Sequence, residues 1–281
     1  MKIKPNAQRV THSTLSLLLF LALPIATMVN TANADDCEAQ TPLTWVKATY
    51  AQSGDTVIIQ GGRFKLIGTY APQIPREHKF NTPGQPLAKE AQLFLNKLLA
   101  NNDMKVGVEY DTIRIDKFNR QLAHLFLEDG TNVQKKMIES GYALAFTSEA
   151  NTLHQNCYFA AEQVARDNQY QLWDLAAKNP NLHYPIVNSS ELRKNDDGFR
   201  IIRGKVEKVD KSSNNYIINL DTTGIRIPKQ NWKNFDYADL KALAGKEIEV
   251  RGIAYFYKGA MFMVIDNPNA INRLNPLNKP A

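Results

Sequence analysis

Asp55, Lys65 and Gln73 fall in one short stretch. It runs through Ser53-Gly54-Asp55-Thr56, Val57-Ile58-Ile59 and Gln60-Gly61-Gly62, then from Arg63 to an Ala71-Pro72-Gln73 turn. A carboxylate, an ammonium and a polar turn brought together in this way suit the binding of a phosphate group. Hydrolysing a phosphodiester asks for more: a cation or donors on the non-bridging oxygens, an activated water, and help for the leaving oxygen. The β-branched run and the glycine pair predict a β-hairpin. Along its second strand Arg63, Lys65 and Ile67 share one face and Phe64, Leu66 and Gly68 the other. Pro72 is expected to end that strand.

The elements that must position these groups can be read in chain order. Residues 45–50 predict an opening strand ahead of the hairpin, and 74–86, with three prolines, a loop. Ala88, Ala91, Leu95, Leu98 and Leu99 recur at helical spacing up to Asn101-Asn102. Residues 104–110 and 121–128 predict two strands around a 111–119 loop. Val133, Met137 and Ile138 mark a second helix that stops at Gly141. Residues 158–169 predict a third, with Phe159, Ala160, Val164 and Ala165 inward. This is the order of a small five-stranded OB-type barrel with three helices. After a linker at 179–190, strands at 199–209, 216–220 and 225–228, a helix at 237–243, and strands at 246–257 and 261–265 repeat the OB order. The expected fold is therefore mainly β (β+α), an OB-type barrel with three helices followed by a second small OB-like barrel. The expected divisions are a leader (1–34), the first domain (35–178), the linker, the second domain (191–270) and a flexible tail (271–281).

Gly54-Asp55-Thr56, the basic residue before Leu66-Ile67-Gly68, and Ala71-Pro72 with one polar residue resemble the thermonuclease (staphylococcal nuclease-like) family. The second half of that signature is Asp116-Lys117-Phe118-Asn119-Arg120-Gln121-Leu122-Ala123, where the family carries Asp-x-Tyr-Gly-Arg-x-Leu-Ala. Asp129-Gly130-Thr131, Gly141-Tyr142-Ala143 and Leu172-Trp173 extend the match over about residues 45–173. The resemblance implies a calcium-dependent nuclease in which two Asp carboxylates and a backbone carbonyl hold the metal. Two arginines would clamp the phosphate, and a Glu after the proline would act on the attacking water. By position, Asp55 is the first metal ligand, Ala71 offers the carbonyl, and Arg120 is the second arginine. Lys117 and Arg63 flank the site as further phosphate-binding cations.

Three of the five positions depart from that pattern. Lys65 stands for the first arginine and lacks its planar two-pronged grip. Tyr70 stands for the second Asp, which leaves calcium, a cation that wants six to eight oxygens, weakly held or absent. Gln73 stands for the Glu and cannot accept a proton, a role worth about 10²–10⁴-fold where a base is present. Glu77 is a nearby substitute base, weighed against solvated surface charge. His78, His124, His154 and His183 show no partner pattern.

Lys2, Lys4 and Arg9 precede an apolar run over 15–29, and Ala32-Asn33-Ala34 fits a cleavage site, so export to the periplasm or medium is expected, with no membrane attachment afterwards. Cys37 and Cys157 are the only cysteines. Pairing is the economical reading in an oxidising compartment, and zinc bound through His154 and Cys157 is the alternative. The net charge of +6 is uneven: residues 185–281 hold 16 Lys+Arg against 11 Asp+Glu, while 35–184 hold 15 against 17. The basic character belongs to the second domain, where Tyr255, Phe256 and Tyr257 beside Lys258 suit base stacking or, more plainly, core and edge positions. The sequence thus points to an exported thermonuclease-like protein whose hydrolysis of nucleic acid is weak or lost. The alternatives are a non-catalytic nucleic-acid-binding protein and a periplasmic protein- or glycan-binding module. Oligomeric state is not legible.

Overall fold

The computed structural model describes Met1 and residues 37–75, 83–146 and 150–274. The leader after Met1, the cleavage site at Ala34, Glu77, His78 and residues 275–281 lie outside the described residues.

The first half contains strands β1 (Thr44–Ser53), β2 (Thr56–Ile59), β3 (Gly62–Leu66) and β4 (Thr69–Tyr70), then helix α1 (Ala88–Ala100). Strands β5 (Lys105–Glu109) and β6 (Gln121–Phe126), helix α2 (Val133–Glu139), strand β7 (Leu144–Ala145), and helices α3 (Gln155–Asp167) and α4 (Leu172–Lys178) follow. Strands β1-β2-β3-β6-β5 close a barrel in which only the β3–β6 pair is parallel. Its core gathers Val57, Leu66, Val106, Val108, Ala123 and Leu125, and α1 closes one side with Ala91, Leu95 and Leu99. That stripe follows from apolar residues three to four apart on a helix.

Two local expectations are corrected. The hairpin's second strand stops at Leu66, not at Pro72, because the chain turns at Ile67-Gly68 and resumes as β4, which pairs with β7. Helix α3 starts earlier than expected and buries Cys157, Tyr158, Ala161, Glu162 and Ala165, leaving Ala160 and Val164 outward. The Cys37–Cys157 disulfide fixes that face. The Glu162 carboxylate is drawn inward by the Ala145 N–H, 2.7 Å away. The disulfide reading therefore holds and the zinc alternative is overturned, since Cys157 is taken.

The second half holds β8 (Ile186–Asn188), β9 (Gly198–Lys205), β10 (Lys208–Lys211), β11 (Asn215–Asn219) and β12 (Thr223–Pro228). Helix α5 (Tyr237–Lys241), β13 (Glu247–Tyr257), β14 (Ala260–Val264) and β15 (Ile271–Arg273) complete it. The sheet runs β10-β11-β12-β14-β13-β9-β8. Strands β9 and β10 are consecutive in the chain, and the segment passes from β13 on one side to β11 on the other. The adjacency is thus that of the first barrel, again with one parallel pair at the equivalent place, β12 with β14. Stretch 179–190, read as a linker, supplies β8 and buries Tyr184 and Val187. Within the tail, Ile271–Arg273 pairs with β13 and is not frayed. Among the described residues no helix is long and apolar enough to cross a membrane.

A buried chain of ions joins α3 to β9 and β13. Arg251 Nη1 donates to Glu162 Oε2 at 2.9 Å, Arg166 bridges Glu162 and Glu249, and Arg203 Nη2 donates to Glu249 Oε1 at 2.6 Å. Burial would raise both carboxyls, but the arginines hold Glu162 and Glu249 below the ordinary range.

Candidate active site

The turn between β1 and β2 presents Asp55, and β3 presents Lys65. Pairing of Thr56 with Lys65 across the hairpin sets the two groups side by side. Gly54 is required here: a Cβ would come within 2.7 Å of the Ala71 and Ala91 methyls, so only glycine lets the turn approach the Ala71 backbone. The Asp55 carboxylate is buried and fully engaged. Its Oδ1 accepts from Ser53 Oγ at 2.9 Å and Thr56 Oγ1 at 3.2 Å, and its Oδ2 accepts from the Ala71 N–H at 2.9 Å. Oδ2 is also in direct contact with the Lys65 ammonium. Lys65 Nζ donates in addition to the Thr69 carbonyl at 3.1 Å. Gln73 Nε2 donates to the Ala71 carbonyl at 2.8 Å.

The electrostatics follow. Burial alone would raise the Asp55 carboxyl, but the Lys65 charge and the hydrogen bonds from Lys65, Ala71 and Ser53 hold it below the usual range. Burial pulls the Lys65 ammonium below its ordinary value, offset only in part by Asp55. The Tyr70 phenol is pushed up to about 12, first by burial and then by the Asp55 charge.

Of the residues expected at the site, Asp55, Lys65, Ala71 and Gln73 are thus brought together. Arg120 lies close enough for its charge to act on Lys65, but its own guanidinium is clasped by Asp116 through Nε at 2.7 Å and Nη2 at 2.6 Å. Asp116 also accepts from the backbone N–H groups of Phe118 and Arg120, so it organises the 111–120 loop. Arg63 donates to the Phe118 carbonyl at 3.1 Å, and Lys117 lies 5.2 Å from the Phe118 ring, so both border that loop and not the Asp55 cluster. His124 and His154, read as scattered, meet in a buried group with Tyr158 and Glu109, where His124 Nδ1 is 2.7 Å from the Tyr158 hydroxyl and His154 Nε2 is 2.7 Å from Glu109.

Second-half residues border the site in a way the sequence did not signal. The Tyr70 ring stacks on Phe199 of β9, and Arg200 covers the buried Tyr184 ring at 5.4 Å. Gln85 accepts from the Gln73 N–H at 2.8 Å and so ties the turn to the start of α1.

Calcium needs several oxygens at bonding distance with lone pairs to spare. Here a single carboxylate is already bonded by four donors, the Ala71 carbonyl is capped by Gln73, and an ammonium lies where a cation would be held. Among the described residues no group of three or more His, Cys, Asp or Glu side chains is arranged to hold a metal ion. This donor set does not fit the metal.

The comparisons with known proteins concern the first half. The family described as staphylococcal nuclease homologue matches residues 63–175. Thermonuclease of Staphylococcus intermedius is 35% identical over 126 residues, 43% of this chain and 71% of that protein. Thermonuclease of Staphylococcus hyicus is 31% identical over 122 residues, 43% of this chain and 70% of that protein. Endonuclease YncB of Bacillus subtilis (strain 168) is 31% identical over 126 residues, 44% of this chain and 58% of that protein.

Proposed function

The chain belongs to the thermonuclease (staphylococcal nuclease-like) family, and on that premise we propose that it engages nucleic acid while its phosphodiester hydrolysis is weak or lost. The observation that carries this is the ion pair between Lys65 and Asp55. The ammonium neutralises the one carboxylate that remains of the family's metal site, and Gln73, which has no basic oxygen to receive a proton, is turned onto the Ala71 carbonyl. Among the described residues, no cation-assisted or general-base route to an activated water has its group at the Asp55 cluster.

What the remaining residues can do is bind. Arg120 and Lys65 are cations near a phosphate-sized position, and exchange of Asp116 for a phosphate oxygen would give Arg120 a two-pronged contact. Export to an oxidising compartment is part of the reading and is supported by the Cys37–Cys157 disulfide.

The test is hydrolysis of single-stranded and duplex DNA and of RNA by the oxidised protein, with excess calcium against a chelator and an Asp55→Ala control. The expected result is no calcium-dependent cutting above the control. Calcium-dependent cutting that disappears in Asp55→Ala would overturn the reading.

A further inference from the structure

Among the described residues, the outer face of the second sheet along β12, β14 and the end of β13 carries exposed side chains. Near the end of β13 Ala254 is buried, while Tyr255, Phe256 and Tyr257 are all exposed, with Tyr255 (42%) and Tyr257 (55%) on one face of the strand. Cross-strand pairing sets Tyr255 opposite Phe262 of β14, with ring centroids 6.0 Å apart at 26°. Phe262 in turn faces Gly224 of β12. A Cβ on Gly224 would lie 2.8 Å from Arg226 Nη1, so the missing side chain makes the space in which that guanidinium lies. The guanidinium carbon is 5.0 Å from the Phe262 ring. At the hairpin tip Lys258 Nζ is 5.4 Å from the Tyr257 ring. The result is a shelf of ring faces edged at both ends by a cation. Core placement does not describe Tyr255 and Tyr257, because a core ring is not half exposed.

We infer that this shelf is a binding site for single-stranded nucleic acid, with bases stacked on Tyr255, Tyr257 and Phe262 and phosphates met by Arg226 and Lys258. Three observations select this occupant over a protein. Aromatic faces interleaved with cations are what a strand of stacked bases and phosphates needs. Residues 185–281 carry a net charge of +5. The position in the fold matches in part: OB folds bind ligand on the face of their second and third strands and at the loop between the fourth and fifth, and the shelf takes in β12, the third strand here, and the β13–β14 turn. The topologically equivalent connection in the first barrel, between β5 and β6, likewise sets an exposed aromatic, Phe118, beside Lys117 and Arg120. The inference rests on nucleic acid being the ligand class of this family member. It does not rest on the state of the Asp55 cluster.

The test is equilibrium binding of the full oxidised chain to a labelled oligothymidylate of about 16 nucleotides, the upper site size of one OB fold, and to a duplex of the same length. The single strand is expected to bind more tightly. Tyr255→Ala and Phe262→Ala should each weaken binding by roughly fivefold to 150-fold, the loss of one stacked base. Tyr255→Leu, which keeps apolar surface but loses the ring face, should weaken it to a similar degree. Arg226→Gln with Lys258→Gln should lower the salt dependence, while the ring variants leave it unchanged. No binding at low salt, or binding insensitive to all ring variants, overturns the inference. So does an interaction that Tyr255→Leu preserves and Tyr255→Ala abolishes, which would mark an apolar protein contact. Loss of binding in Arg120→Gln, with the ring variants binding as the parent does, would place the strand on the first barrel and overturn it also. Hydrolysis is scored separately, so a cutting enzyme with an intact shelf contradicts the functional proposal and leaves this one standing.

Discussion

The Tyr70 ring lies face to face with Phe199, centroids 4.4 Å apart at 17°. By the resemblance Tyr70 stands where the family carries its second metal-binding carboxylate, and Phe199 lies at the start of β9, after Gly198. The ring anchors the first half to the second, in a cluster with Leu144, Tyr184 and Ile201. Restoring the carboxylate should not restore a metal site. Tyr70→Asp would set a charge against the buried Phe199 ring and is expected to cost about 2–4 kcal/mol in denaturant unfolding. Tyr70→Phe should be near neutral, because the hydroxyl contact to Gln85 is long, at 3.5 Å.

Lys65→Met should be more damaging than its surface charge would suggest. It leaves the buried Asp55 carboxylate without its counter-charge, and breaking one side of a buried pair costs about 3–5 kcal/mol. The double variant Lys65→Met with Asp55→Asn should recover most of that loss in urea unfolding. Equal losses in single and double variants would mean that the two groups are not coupled.

Acid should weaken the fold through Asp55. Its carboxyl is held below its ordinary value of 3.8 in the folded state. Its stabilising contribution is therefore complete above that pH and is lost as the pH falls through the lower, folded value. Asp55→Asn should flatten this part of a stability-against-pH curve measured by thermal melting. An unchanged acid slope would contradict the assignment.

The ion chain between α3 and the second sheet should behave as one unit. Arg251→Met removes one of the two arginines on Glu162 and is expected to cost about 1.5–3 kcal/mol, the worth of a hydrogen bond to a charged group, and a double-mutant cycle with Glu162→Gln should show coupling. Both halves should then melt at different temperatures in calorimetry, where the parent melts once.

The Cys37–Cys157 disulfide spans a sequence separation of 120. Closing a loop of that order constrains the unfolded chain by about 4–5 kcal/mol. Cys37→Ser with Cys157→Ser, or reduction, should lower the urea midpoint accordingly.

Much of this was legible in the sequence. The hairpin, α1 and the strands of both sheets follow from alternation and helical spacing, and Asp55, Lys65, Ala71 and Gln73 do converge. What failed was what depends on distant partners. The face of α3 was misjudged because Glu162 reads as a surface residue until Arg251 is seen beside it. Nothing near Tyr70 in sequence announces its stacking on Phe199. Spacing places Lys65 as a phosphate clamp but does not announce that its ammonium contacts Asp55. The 179–190 stretch lacks periodicity because β8 is too short to show any.

The most direct test of the central claim, that the Lys65 ammonium takes the cation's place at Asp55, is a calorimetric titration of calcium into the full oxidised chain with single-stranded oligonucleotide present. The account predicts no saturable heat beyond that of the oligonucleotide alone. Saturable binding of one calcium per chain that Asp55→Ala abolishes would contradict it.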